Sequence, residues 1–169
     1  MNIYQNIKDL LESLDIPYET IEHPNVRTCA DSAKYRAEHG WIGAGSKNIL
    51  FHAKGKFYLV VTIAEKDIKA RRFKKEFGTK NIRFANAEEL DKVTGCQSGS
   101  IPPFGHLNEE LPIYVDNDIF EQDYFMFNPA DPTKSIKLTT SDLKKIYKHI
   151  PNRVVIFKTS DNNFTFEKL

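Results

Sequence analysis

Three stretches of the sequence carry residues whose types and spacing could do chemistry. Lys47 and Asn48 stand between GAGS and ILF. An ammonium there, at the rim of a pocket, could grip a phosphate or polarise an oxygen; a lysine that only snorkels along the surface is the plain alternative. Residues 95–105, GCQSGSIPPFG, hold three of the eight Gly and two of the eight Pro, too many for the interior of a helix or strand. Gly95, Gly99 and Gly105 could present bare backbone N–H groups to an anionic or carbonyl oxygen, although structural turns would use the same glycines. The third stretch is the polar segment Asn128 to Asp131.

Nucleophiles and metals find less support. Cys96 and Ser98 lie in the Gly-rich loop, but no motif supplies either with a base, and GCQSG is not GxSxG. The five His, at 23, 39, 52, 106 and 149, form no HExxH or comparable pairing. His106, directly after the loop, is the one closest to the candidate site in sequence. Cys29 and Cys96 form no CxxC and are read as free thiols, and neither a metal nor a cofactor is expected.

Composition narrows the classes. The chain has 169 residues, 24 Lys and Arg against 23 Asp and Glu, a net charge of +1, and 12% aromatics. That is one domain with enough apolar side chains for a core, which excludes bulk disorder and a polyanion binder of high overall charge. No run is long and apolar enough to span a bilayer and the N-terminus has no signal-peptide core, so a soluble, cytoplasmic protein is expected. The near-zero total hides an asymmetry. Residues 66–83 carry eight basic side chains against two acids, whereas 107–133 carry seven acids and no Lys or Arg. Within the basic run Arg71, Arg72, Lys74 and Lys75 could contact a phosphate backbone, or could form no more than a solvated helix face.

The elements that must position these residues follow from periodicity. Ile3, Ile7, Leu10, Leu11 and Leu14 predict a helix to about residue 15, and Thr28 with Asp31 predicts the cap of a second helix ending at Gly40. Residues 48–53 and 56–63 predict a hairpin about Lys54 and Gly55, so that Lys47 and Asn48 stand at its start. Asp67 is expected to cap a third helix closed by Gly78, and Asn86 a brief one ending at Gly95. Strands are expected at 18–23, 82–85, 112–115, 124–127 and 135–138, then a helix carrying Leu143, Ile146 and Tyr147, and a last hairpin from 154–157 and 163–167. The predicted fold is α+β: a single compact domain with a mixed, largely antiparallel sheet flanked by helices.

Taken together, EHP at 22–24, GSKNILF at 45–51, FYLVV at 57–61, IRFANAEEL at 82–90, TGCQSGSIPPFG at 94–105 and PIYVD at 112–116 resemble the YbaK-like aminoacyl-tRNA deacylases, also called the prolyl-tRNA editing domain. Order and spacing match over 1–150, leaving 151–169 as a C-terminal extension expected to fold as a hairpin on the same domain. The resemblance implies a free-standing trans-editing hydrolase that cleaves the aminoacyl ester at the terminal adenosine of a mischarged tRNA. Its partners would be that tRNA and an aminoacyl-tRNA synthetase, with no membrane involved. It makes Lys47 the catalytic position, with Asn48, Gly95, Gly99, Ser100, Pro103, Phe104, Gly105, His106 and Asn128 as substrate contacts and Asp116 as a structural acid. It also allows the substrate's own ribose hydroxyl to take part, which accounts for the missing triad. The chain departs from the family pattern at Cys96, at His106 and at Asn128 to Ala130. The alternatives are a non-catalytic tRNA- or synthetase-binding module that keeps the fold, and a hydrolase of some other small ester.

Overall fold

The computed structural model describes residues 2–160 and 163–169. The apolar spacing at the N-terminus becomes α1 (Ile3–Ser13), which buries Ile3, Ile7 and Leu11. Asn2 caps it by accepting the Gln5 N–H at 2.8 Å, satisfying one of the helix's free donors. Among the described residues the strands are β1 (Glu19–Glu22), β2 (Ala44–Ala53), β3 (Lys56–Ile63), β4 (Ile82–Phe84), β5 (Ile113–Asp116), β6 (Tyr124–Phe127), β7 (Lys134–Thr139), β8 (Val154–Thr159) and β9 (Phe164–Lys168). They form one sheet in the order β1-β7-β6-β2-β3-β5-β8-β9, with β4 paired to β2. Its helices are α1, α2 (Cys29–Glu38), α3 (Lys74–Phe77), α4 (Ala87–Thr94) and α5 (Thr140–His149). The fold is α+β and the sheet is mixed. β2·β6, β3·β5 and β5·β8 are parallel and the remaining pairs antiparallel.

Alternation along the central strands divides the core in two. Leu59, Val61, Ile113 and Val115 face a large aliphatic core with α1 and α5. On the other face Val60, Tyr114, Val155 and Phe157 meet an aromatic cluster with Phe51, Phe73 and Phe77. Because both faces are covered, these strands read as continuous apolar runs. The last strands, β8 and β9, belong to the sheet itself, through β5 on one side of β8 and β9 on the other. The predicted turn of that final hairpin includes residues 161 and 162, which lie outside the described residues.

Two local expectations need correction. β2 begins at Ala44 and not at Asn48, because Ala44 and Gly45 pair in parallel with Phe125 and Met126 of β6, a partner some 80 residues away that local pattern cannot report. Asp67 caps nothing: its carboxylate pairs with Lys69 Nζ at 2.6 Å. The helical stretch starts after Lys69 as a 3-10 turn, Ala70–Phe73, with no side-chain cap. Among the described residues no helix is long and apolar enough to cross a membrane.

Candidate active site

The early start of β2 creates the site. One edge of β2 pairs with β6 only at Ala44 and Gly45, and β4 takes over only at Phe51. Between the two, the edge from Ser46 to Ile49 has no strand beside it, and a cavity of about 220 Å³ occupies the gap. Ser46, Lys47, Asn48 and Ile49 form one wall, the start of α2 with Arg27, Thr28, Cys29 and Ser32 a second, and Ser98, Gly99 and Ile101 a third, with Asn128 completing it. Thr28 fixes the helical wall, since its hydroxyl oxygen accepts the Asp31 N–H at 3.1 Å as an N-cap.

Lys47 and Asn48 are held differently. Lys47 Nζ donates to the Lys66 carbonyl oxygen at 2.9 Å. That carbonyl is itself fixed, because Lys66 Nζ donates to Asp116 and Asp118 at 2.7 Å each and to Thr159 Oγ1 at 2.9 Å. Partial burial alone would pull Lys66 down, but the hydrogen bonds to Asp116 and Asp118 outweigh it and hold the ammonium above the ordinary lysine range. Asp116 is fully buried and also accepts from Thr62 Oγ1 at 2.7 Å, so it supports the site from beneath, as a structural acid would. Asn48 Nδ2 donates to the Ile101 carbonyl at 2.8 Å, tying β2 to the Gly-rich loop. Asn48 Oδ1 is buried with no partner among the described residues. A buried acceptor left unpaired costs about 1–3 kcal/mol, and here it borders a cavity where a ligand's N–H or O–H could satisfy it.

The loop 95–105 divides in two. Gly99 lines the cavity at φ +89°, with its backbone so close to Arg27 that a Cβ would stand 2.8 Å from the Arg27 carbonyl oxygen. The second half is an anchor. Phe104 is fully buried against Phe127, Pro103 accepts the Tyr147 hydroxyl at 2.8 Å, and the Gly105 carbonyl accepts Asn6 Nδ2 at 2.8 Å. His106 is buried with Nε2 on the Pro102 carbonyl at 2.8 Å and Nδ1 unpartnered among the described residues, and burial pushes it below the ordinary histidine range. Gly95 is the left-handed C-cap of α4, and Ser100 turns its hydroxyl onto the Gln97 carbonyl at 3.0 Å. Of the predicted contacts, then, the structure brings Lys47, Asn48, Gly99 and Asn128 to one cavity, whereas Gly95, Ser100, Pro103, Phe104, Gly105 and His106 do not line it.

Asn128 is positioned from behind. Its Oδ1 accepts from Ser32 Oγ at 3.2 Å and Arg36 Nη2 at 3.3 Å, and its Nδ2 donates to the Lys134 carbonyl at 2.7 Å. Arg36 Nε also donates to Ser135 Oγ at 3.0 Å, which in turn lies 2.9 Å from His23 Nε2. Desolvation lowers Arg36 to about 10, with the nearby Cys29 acting in the opposite direction; at neutral pH the guanidinium stays charged.

Comparison with known proteins decides the family. Residues 23–146 match the aminoacyl-tRNA editing domain. The chain belongs to the aminoacyl-tRNA editing domain family. It is 29% identical over 153 residues to the prolyl-tRNA editing protein ProX of Acetoanaerobium sticklandii, a match covering 88% of this chain and 92% of that one. It is also 32% identical over 107 residues to the proline–tRNA ligase of Staphylococcus aureus, of which the match spans only 18%. A solved structure described as a candidate trans-editing enzyme for prolyl-tRNA synthetase superposes with a TM-score of 0.72 over 95% of this chain and 99% of that one, at 22% identity, and supports the fold.

Within this editing domain, sequence reasoning missed Arg27, Cys29, Ser32 and Ser46. Thr28 and Asp31 marked where α2 begins, but nothing local shows that this helix end packs across the open edge of β2. Cys29 is exposed, its thiol donating to the Ser46 carbonyl at 3.8 Å, and among the described residues no histidine lines the cavity. Cys96 is buried, and burial pushes its thiol up. Among the described residues no three His, Cys, Asp or Glu side chains are grouped as metal ligands. Away from this cavity Arg71, Arg72, Lys74 and Lys75 line a separate one of about 420 Å³ with Asn163 and with Phe164 and Phe166 of β9.

Proposed function

We propose that this editing domain is a free-standing trans-editing hydrolase that removes a wrong amino acid from tRNA by cleaving its ester to the terminal adenosine. The observation that carries the reading is the open stretch of β2 that lines the cavity, where Lys47, its ammonium fixed on the Lys66 carbonyl, stands next to Asn48 with its unpaired buried acceptor. An aminoacyl ester is already activated, so the protein's task is to orient it, grip its negative oxygens and admit a water. Lys47, steered by the Lys66 carbonyl, supplies the positive charge for a phosphate or for the developing oxyanion. Asn48 Oδ1 accepts from the α-amine or a ribose hydroxyl, and the close backbone at Gly99 closes the space around the ester. With no base beside Cys29, water attacks the carbonyl carbon and the ribose oxygen leaves with a proton, giving free amino acid and intact tRNA.

Similarity to ProX over nearly its whole length favours proline tRNA as the carrier and action in trans. The basic cavity at Arg71, Arg72, Lys74 and Lys75 is the proposed contact for the tRNA backbone. Purified protein incubated with a panel of mischarged tRNAs, those for proline included, tests the reading. Release of amino acid from at least one proline tRNA species faster than in buffer is expected; no release from any member of the panel would remove the deacylase reading and leave the non-catalytic module and the hydrolase of another small ester.

A further inference from the structure

Next to the cavity, and sharing Cys29 and Ser46 with it, lies a second cleft of about 290 Å³. Its apolar part is Trp41, Ile42 and Met126, and Arg36 and Glu65 bring charge to it. Arg36 is only 4% exposed, yet none of the ion pairs among the described residues includes it. A guanidinium has five N–H donors, and the described residues accept only from Nε and Nη2. Nη1 stands beside Gly45, 3.3 Å from where a Cβ would lie, so the residue there offers it no side chain. A buried cation without an anion is unfavourable, and this one borders an open cleft. At the rim, Ile42 is 82% exposed beside Trp41, and Lys137 Nζ covers one face of the indole at 5.6 Å from its centroid.

We propose that this cleft is a nucleotide subsite, in which Arg36 holds the phosphodiester and Trp41 with Ile42 the base of the nucleotide that precedes the terminal adenosine. The inference rests on the deacylase reading for the identity of the neighbouring ligand, since the shared Cys29 and Ser46 make one chain run through both spaces. Planar guanidinium suits a phosphate oxygen pair, and an indole face accepts any base. One buried cation matches the single charge of a diester better than the double charge of a free phosphate, the more so with the exposed Glu65 also lining the cleft.

Trp41 is the only tryptophan, so its fluorescence reports binding directly. The probes are the dinucleotide cytidylyl-3′,5′-adenosine, adenosine and inorganic phosphate, none of which carries an ester to the amino acid. The dinucleotide is expected to bind about tenfold or more tighter than adenosine, with inorganic phosphate failing to displace it. Arg36→Lys should weaken the dinucleotide about tenfold. Because Arg36 also holds Asn128 and Ser135, the exposed Ile42→Asp is the second variant; it should melt like the parent and lose a similar factor. Equal affinity for dinucleotide and adenosine, displacement by phosphate, or undiminished binding to a folded Ile42→Asp would overturn the subsite. Tight dinucleotide binding by a protein that cleaves no mischarged tRNA would uphold the subsite and remove the deacylase reading.

Discussion

Gly99 shows how closely single residues constrain the cavity. It combines a left-handed backbone with a carbonyl neighbour 2.8 Å from any Cβ. Gly99→Val therefore adds strain of about 1–3 kcal/mol and displaces the wall that faces Lys47. The expected result is a kcat/KM for deacylation lowered on the order of 100-fold, with a lower melting temperature; normal turnover would show that the loop does not shape the site. Lys47, Asn48 and Gly99 were legible because their types are unusual for their setting and fall in short, ordered motifs. Ser32, Cys29 and Arg36 were not. They sit on a largely polar helix with no apolar stripe, and Ser32 and Cys29 meet the cavity, and Arg36 the neighbouring cleft, only once α2 lies across β2.

At the scale of elements, α1 and α5 hold the far half of the Gly-rich loop, through Asn6, Ile7 and Tyr147. A Cβ at Gly105 would collide with Ile7 Cγ1, so Gly105→Ala should destabilise by about 1–3 kcal/mol and yet turn over normally well below its melting temperature. A defect in turnover as deep as that of Gly99→Val would mean the two halves of the loop act as one. Sequence composition marked the whole loop as special but could not separate wall from anchor, because both halves need glycine and only tertiary contact tells why.

The β4–α4 junction offers a pH test at the same scale. Hydrogen bonding to Arg83, and then to the Asn86 N–H, brings Glu89 down from 4.5 to about 2. A carboxyl with a depressed folded value adds stability above its unfolded value and loses it as pH falls through the folded one. The melting-temperature advantage of the parent over Glu89→Gln should thus be full above pH 4.5 and vanish towards pH 2; an advantage unchanged across that window would contradict the pairing. The cap at Asn86 was readable from the sequence, whereas its reciprocal partner Glu89 emerges only in the structure. The start of the third helix was not readable, since Asp67 prefers Lys69 to the backbone, but its close at Gly78 was.

For the molecule as a whole, the sheet has a large aliphatic core on one face and an aromatic one on the other, and the basic run covers the aromatic side. Phe73 and Phe77 point inward while Arg71, Lys74 and Lys75 stay exposed. Charge reversal at Arg71, Arg72, Lys74 and Lys75 should raise the KM for full-length tRNA, most at low salt, and flatten its salt dependence, while a minimal aminoacyl-adenosine is cleaved as before. Identical salt dependence in parent and variant would remove these residues from the tRNA path. Fold class was legible from the alternation of helices and short strands. The strand order was not, because β2·β6, β3·β5 and β5·β8 join segments far apart in sequence, and the open edge that makes the cavity exists only in that order.

The account turns on Lys47 acting on an ester in that gap, and the rate of amino-acid release from mischarged proline tRNA under single-turnover conditions, parent against Lys47→Ala, tests it most directly. Lys47 contributes a charge and one hydrogen bond to the Lys66 carbonyl and no core packing, so the variant should stay folded while its rate falls by on the order of 100-fold towards that of buffer. A folded Lys47→Ala that releases the amino acid as fast as the parent would contradict the assignment of the site.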